Sequence, residues 1–188
     1  MDDPPERHTL VKLIEEAGWD DNGPVVSRTY LADASLWKQF IELWDPILQC
    51  TMDAAPDSAG FECIGDRLQV RIVDDEALGN KCPDDVAFAH RLCEDDDDSE
   101  EVGFLEPGLR TRMCLFVDQE CMESVTAPRA DALLFVKAVS VRLGTTRWPE
   151  QAFVSKVAIE SLITEVYPAL LLPEISVTEL RPIMDGDA

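Results

Sequence analysis

The chain has 188 residues, 46% hydrophobic and 29% charged, a composition that suits one globular domain burying roughly 70% of its unfolded surface. Its 38 acidic against 16 basic residues give a net charge of −22, and a surface that negative repels phosphate backbones and anionic headgroups. Sequence-independent nucleic-acid binding is therefore disfavoured, and no apolar run approaches the ~18 residues of a membrane span.

The opening residues Met1-Asp2-Asp3-Pro4-Pro5-Glu6 are acidic and lack the apolar stretch of a signal peptide, so a cytoplasmic or nuclear, non-secreted location is expected. In such a reducing compartment the six cysteines (Cys50, Cys63, Cys82, Cys93, Cys114 and Cys121) are expected as free thiols. Leu10, Leu13, Ile14 and Ala17 recur at helical spacing, with Thr9 able to cap and Gly18 to stop the helix. Residues 1–22 thus read as an acidic segment with a short helix.

Asp20-Asp21-Asn22-Gly23-Pro24 is a turn, and Val25 to Leu31, rich in β-branched and aromatic residues, predicts a strand. Leu36, Trp37, Phe40, Ile41, Trp44, Ile47 and Leu48 form one helical stripe that Asp33 or Ser35 can cap. Pro46 is expected to kink or end that helix. The alternation from Arg67 to Val73 predicts a half-buried strand. Next comes a short helix capped by Asp84 or Asp85 and carrying Val86, Ala89 and Leu92.

That helix runs into Glu94-Asp95-Asp96-Asp97-Asp98-Ser99-Glu100-Glu101, seven carboxylates with nothing apolar, expected as a solvated loop insertion over about 94–108. The run divides the charge: residues 1–102 hold 26 acidic and 8 basic side chains, net −18, and residues 103–188 hold 12 and 8, net −4. Arg112 to Val117 is almost continuously apolar, the pattern of a central strand. Asp118 is placed to cap a short helix from Gln119 to Val125, and Ala132 to Val141 predicts another strand. From Thr146-Arg147-Trp148-Pro149 a long final helix is expected, with Phe153, Val154, Val157, Ala158, Leu162, Ile163 and Val166 facing the core and its end near Tyr167-Pro168. Residues 173–188 read as a tail in which Ile175 to Leu180 could add an edge strand.

The order predicts an α+β two-layer sandwich over residues 23–172. A mixed four-stranded sheet, or five-stranded with that edge strand, would carry its helices mainly on one face.

Three segments carry a resemblance. Gly23-Pro24-Val25-Val26-Ser27-Arg28-Thr29-Tyr30 before a helix with Trp37 resembles the opening of an uncharacterised group of filamentous-fungal proteins with an "IYRTxY"-like strand. Arg112 to Val125 is similar to that group's "CLVIDEExLxSL"-like segment, and Phe135-Val136-Lys137-Ala138-Val139 to its "YVKVVD"-like strand. Ser27 stands where the pattern has tyrosine, and Asp20-Asp21-Asn22 separates Trp19 from Gly23. The group has no established activity. The likeness therefore implies one compact α+β domain over roughly residues 19–166 and carries over no catalytic residue.

Of the possible chemical constellations, the strand-end acids come first. Asp74-Asp75-Glu76 and Asp118/Glu120 each follow a predicted strand. If those strands are parallel neighbours, their ends meet at one edge, where open sheets place ligands. Asp74, Asp75, Asp118 and Glu120 could there hold a divalent cation or act as acid and base; the plainer expectation is that Asp74 and Asp118 merely cap the helices after them. Cys82, His90 and Cys93 have a C-x7-H-x2-C spacing but no fourth zinc ligand nearby. His90 with Cys93 or Cys82 is also the available Cys–His combination, without an orienting third group. Trp37 and Trp44 share a helix face and read as core, whereas Trp19 and Trp148 could line a pocket rim. There is no Gly-rich phosphate loop, G-x-S-x-G or H-E-x-x-H, so no catalytic residue, resident metal or cofactor is implied. The sequence thus points to a non-catalytic interaction or adaptor domain whose acidic surface meets a basic protein. The alternative is a small enzyme or ligand-binding protein with an acidic strand-end site.

Overall fold

The computed structural model describes residues 9–55, 59–95, 107–128, 133–141 and 154–171. In chain order these form α1 (Thr9–Ala17), β1 (Val25–Arg28), α2 (Ala34–Ala54), β2 (Arg71–Val73), α3 (Pro83–Asp95), β3 (Met113–Val117), α4 (Gln119–Thr126), β4 (Phe135–Ser140), β5 (Val154–Ala158) and α5 (Tyr167–Leu171). Of the acidic run, Glu94 and Asp95 close α3 and the rest lies outside the described residues, as do Trp148 and Ile175–Leu180.

The fold is α+β. Its five strands make one mixed sheet in the order β2-β1-β3-β4-β5, with β1 parallel to both β2 and β3 and the pairs β3–β4 and β4–β5 antiparallel. The fifth described strand is Val154–Ala158, within the segment expected as the final helix. The expected long helix is replaced there by a strand whose Val157 and Ala158 pair with Val136 and Phe135 of β4. Val154, Val157 and Ala158 fit a helical stripe as well as a strand, and pairing with β4 decides between them.

The helices divide unequally between the faces. From β1 the chain steps outward to β2 and then back past β1 to β3. Right-handed crossovers in opposite directions put their helices on opposite faces of the sheet. Accordingly Phe40, Trp44 and Leu48 of α2 pack with Met113, Leu115 and Val117 in the main core, which α1, α4 and α5 complete. Val86 and Ala87 of α3 instead cover Cys114, Phe116 and Val139 on the other side. Every residue of β3 is buried as a result.

Local chemistry explains where the elements start and where the expectations were off. The Asp33 carboxylate accepts from the Leu36 N–H at 2.8 Å and caps α2, an interaction of about 1 kcal/mol. Pro46 does not end α2, which continues through it to Ala54. Pro46 and Glu42 are both exposed, so the carbonyl left without an N–H donor faces water rather than the core. The segment before β2 coils into a short 3-10 turn at Gly65–Arg67 and bridges Asn22 at Leu68, which leaves three residues for the strand. Neither Asp84 nor Asp85 caps α3; both lie in its first turn behind Pro83. A π-helical turn, Leu162–Val166, ends just before Tyr167-Pro168, near where the helix was expected to end, and α5 carries the chain on to Leu171.

Tyr167 ties three distant segments together. Its buried hydroxyl accepts from the Gly23 N–H at 2.8 Å and donates to the Gly108 carbonyl. Burial pushes this phenol up to about 12, so it stays protonated and able to donate. Gly23 has φ +135°, and a Cβ there would lie 1.9 Å from the Gln69 carbonyl oxygen. Only glycine fits that position.

Among the described residues no helix is long and apolar enough to cross a membrane.

Candidate functional site

Because β1, β2 and β3 run parallel, their carboxyl ends lie along one edge of the sheet. Asp74 follows β2 and Asp118 follows β3. These strands are both neighbours of β1, not of each other, which sets their ends roughly 10 Å apart. The four strand-end acids therefore fall into two groups.

In the first group, Asp74 receives the Arg28 guanidinium, with Nη1 at 3.0 Å from Oδ2. Asp75 turns back on its own chain, where its Oδ1 accepts from the Ala77 N–H at 2.8 Å and caps the 3-10 turn Glu76–Leu78. Arg28 is buried, and its Nε also donates to the Tyr30 carbonyl.

In the second group, Asp118 does two things. Its Oδ1 accepts from the Cys121 N–H at 3.1 Å and caps α4, while Oδ2 holds Lys137 Nζ at 2.6 Å. Glu120, in the first turn of α4, bridges two lysines: Oε2 lies 2.6 Å from Lys137 Nζ and Oε1 lies 2.8 Å from Lys156 Nζ. The two lysines are direct cross-strand partners on β4 and β5. Like charges so placed repel, and the carboxylates between them offset the repulsion. Lys156 also lies over the Phe135 ring, 4.2 Å from its centroid.

The electrostatics follow from these contacts. Hydrogen bonds from Lys137 and then Lys156 pull the Glu120 carboxyl down to about 2. Burial works to lower Lys137, but its bonds to Asp118 and Glu120 outweigh that and raise it. Lys137 is thus a fixed ammonium and no nucleophile. The Cys121 thiol is raised by burial and by the Asp118 charge, which makes it inert.

A crevice of about 480 Å³ opens between the ends of β1 and β3. Thr29 and Tyr30 after β1, Asn80 and Lys81 of the loop after β2, Gln119 and Glu123 of α4, and Lys137 of β4 line it.

The remaining sequence candidates lie elsewhere. Cys82 is exposed, its Sγ 3.2 Å from Asp85 Oδ2, and His90 is buried with its imidazole pushed down to about 4 by that burial. The Cys93 side chain lies outside the described residues. No three His, Cys, Asp or Glu side chains among the described residues converge to hold a metal ion. Trp44 is core and Trp37 packs against it, while the Trp19 carbonyl accepts from Asn22 Nδ2. The five described cysteines, Cys50, Cys63, Cys82, Cys114 and Cys121, are free thiols.

The basic partners Arg28, Lys137 and Lys156 were missed by reading the acids alone. A signal for one of them was present. A lysine in the middle of the apolar run Phe135-Val136-Lys137-Ala138-Val139 needs a counter-charge nearby.

The chain matches no known protein family, no curated protein and no solved structure.

Proposed function

We propose that this chain is a non-catalytic interaction domain whose acidic surface meets a basic protein partner. The carrying observation is that each strand-end acid is already committed within the fold. Asp74 pairs with Arg28, Asp75 caps a turn, and Asp118 and Glu120 hold Lys137 and Lys156. An acid–base pair needs a carboxylate free to exchange a proton, and a metal needs several converging free oxygens. What the chain offers a partner is charge: net −22, with −18 carried by residues 1–102. Complementary charge accelerates and selects encounters with basic surfaces. Calorimetric titration of the full chain with an arginine-rich peptide tests this, with binding expected at low salt and weakening as salt rises. Absence of binding at low salt would overturn it.

A second reading, ligand binding at the strand ends, is favoured by one observation. The crevice beside Asp118 sits where the chain's direction across the sheet reverses, between β1 and β3, which is where open α/β sheets take ligands.

A further inference from the structure

The crevice between β1 and β3 has an unusual distribution of charge. At its base and behind it, Asp118 and Glu120 are matched by Lys137 and Lys156, so these four formal charges sum to zero. Two charges of its lining are left open, those of Lys81 and Glu123. Lys81, in the loop between β2 and α3, is exposed and makes no ion pair among the described residues. Glu123, on α4, is exposed, and among the described residues its carboxylate accepts only the Gln119 side-chain amide, at 2.7 Å. The loop carrying Lys81 is held in place by Asn80, which has φ 56° and donates its N–H to the Thr29 carbonyl at 2.7 Å.

We propose that this crevice binds a small zwitterion, an amino acid or a short peptide, with Lys81 taking the carboxylate and Glu123 the ammonium. The inference rests on the ligand-binding reading of the strand ends and adds the class of ligand. Three points select that class. Open charges of opposite sign in one lining match a molecule carrying both signs, and each repels the wrong end. A phosphate or nucleotide, the common occupant of such crevices, is disfavoured. The chain carries −22, carboxylates already occupy the first turn of α4, and the Thr29-Tyr30-Leu31 segment after β1 contains no glycine to cradle a phosphate. A divalent cation is disfavoured because Asp118 and Glu120 are neutralised by lysines.

The test is a thermal-shift and calorimetric panel on the full chain. Its arms are free L-amino acids, diglycine and triglycine, and, as single-sign controls, succinate, putrescine and Mg²⁺. At saturation a zwitterion is expected to raise Tm by about 2 °C or more. Free amino acids and the peptides distinguish the two sources. Lys81→Glu and Glu123→Lys, both at exposed positions, are each expected to weaken that binding at least tenfold. Binding of succinate, putrescine or Mg²⁺ without any zwitterion would overturn the ligand class while leaving a strand-end ligand site standing. Binding of nothing in the panel would overturn both. A zwitterion whose affinity is unchanged in both variants would also overturn the assignment.

Discussion

The Arg28 guanidinium lies over the Trp37 ring, 4.7 Å from its centroid, while its Nη1 holds Asp74 at 3.0 Å. One side chain of β1 thereby joins the first turn of α2 to the end of β2. The two contacts differ in environment, because the Asp74 side chain is 47% exposed and that of Arg28 only 9%. Arg28→Ala is expected to cost about 3 kcal/mol through lost packing and an unmatched strand end. Asp74→Ala is expected to cost about 1 kcal/mol, since solvent screens that half of the pair. Urea unfolding of both variants checks the ranking, and equal losses would contradict it.

Asp118 combines a helix cap with an ion pair, and two substitutions separate them. Asparagine caps as well as aspartate does but cannot hold the Lys137 charge. Asp118→Asn should therefore keep the bond to the Cys121 N–H and lose only the pair. Asp118→Ala loses both, and the difference between the variants is expected to be about 1 kcal/mol in chemical unfolding. If the alanine variant is no worse than asparagine, the cap contributes nothing.

His90 predicts a dependence of stability on acid. Its folded value, about 4, lies below the ordinary 6.5 because burial disfavours the imidazolium. The unfolded chain thus binds more protons between those values, and stability that is complete above pH 6.5 falls as the pH drops through that window. The loss should reach about 3 kcal/mol near pH 4. Glu120, depressed to about 2, works in the same direction at lower pH: its contribution is present above about 4.5 and fades toward 2. Unfolding free energies measured at stepped pH check this, and His90→Gln should flatten the slope between pH 6.5 and 4.

Tyr167→Phe removes one hydroxyl and orphans two buried backbone groups, the Gly23 N–H and the Gly108 carbonyl. The expected cost is roughly 2–4 kcal/mol, more than a surface hydroxyl could account for. Thermal and urea unfolding measure it. Gly23→Ala should be worse still, because the new Cβ would meet the Gln69 backbone at positive φ.

Much of this arrangement was legible in the residues themselves. The limits of α1, the Asp33 and Asp118 caps and the burial of β3 follow from spacing and composition, which are local. The continuous apolar run Met113 to Val117 marked a central strand, and β3 is the middle strand of the sheet. What could not be read depends on distant partners. Val154–Ala158 satisfies a helical and a strand pattern equally, and its identity comes from pairing with Phe135–Val139. With β5 misread, Lys156 could not be placed beside Lys137, and Glu120 had no visible counter-charge. The strand order 2-1-3, which sets Asp74 and Asp118 one strand apart, likewise has no local signature.

That order also has a consequence in time. Of the described strands β1 emerges first during synthesis, yet it sits inside the sheet. Its Val26 must find Leu115, 89 residues later, before the sheet can close on that side. At the ordinary pace of translation the wait is roughly 5–20 s. The β3–β4–β5 meander pairs at much shorter separations and can form as soon as it emerges. Until then Val25 and Val26 are exposed apolar residues on a growing chain. The charge around them, 26 carboxylates against 8 basic groups over residues 1–102, keeps neighbouring nascent chains apart.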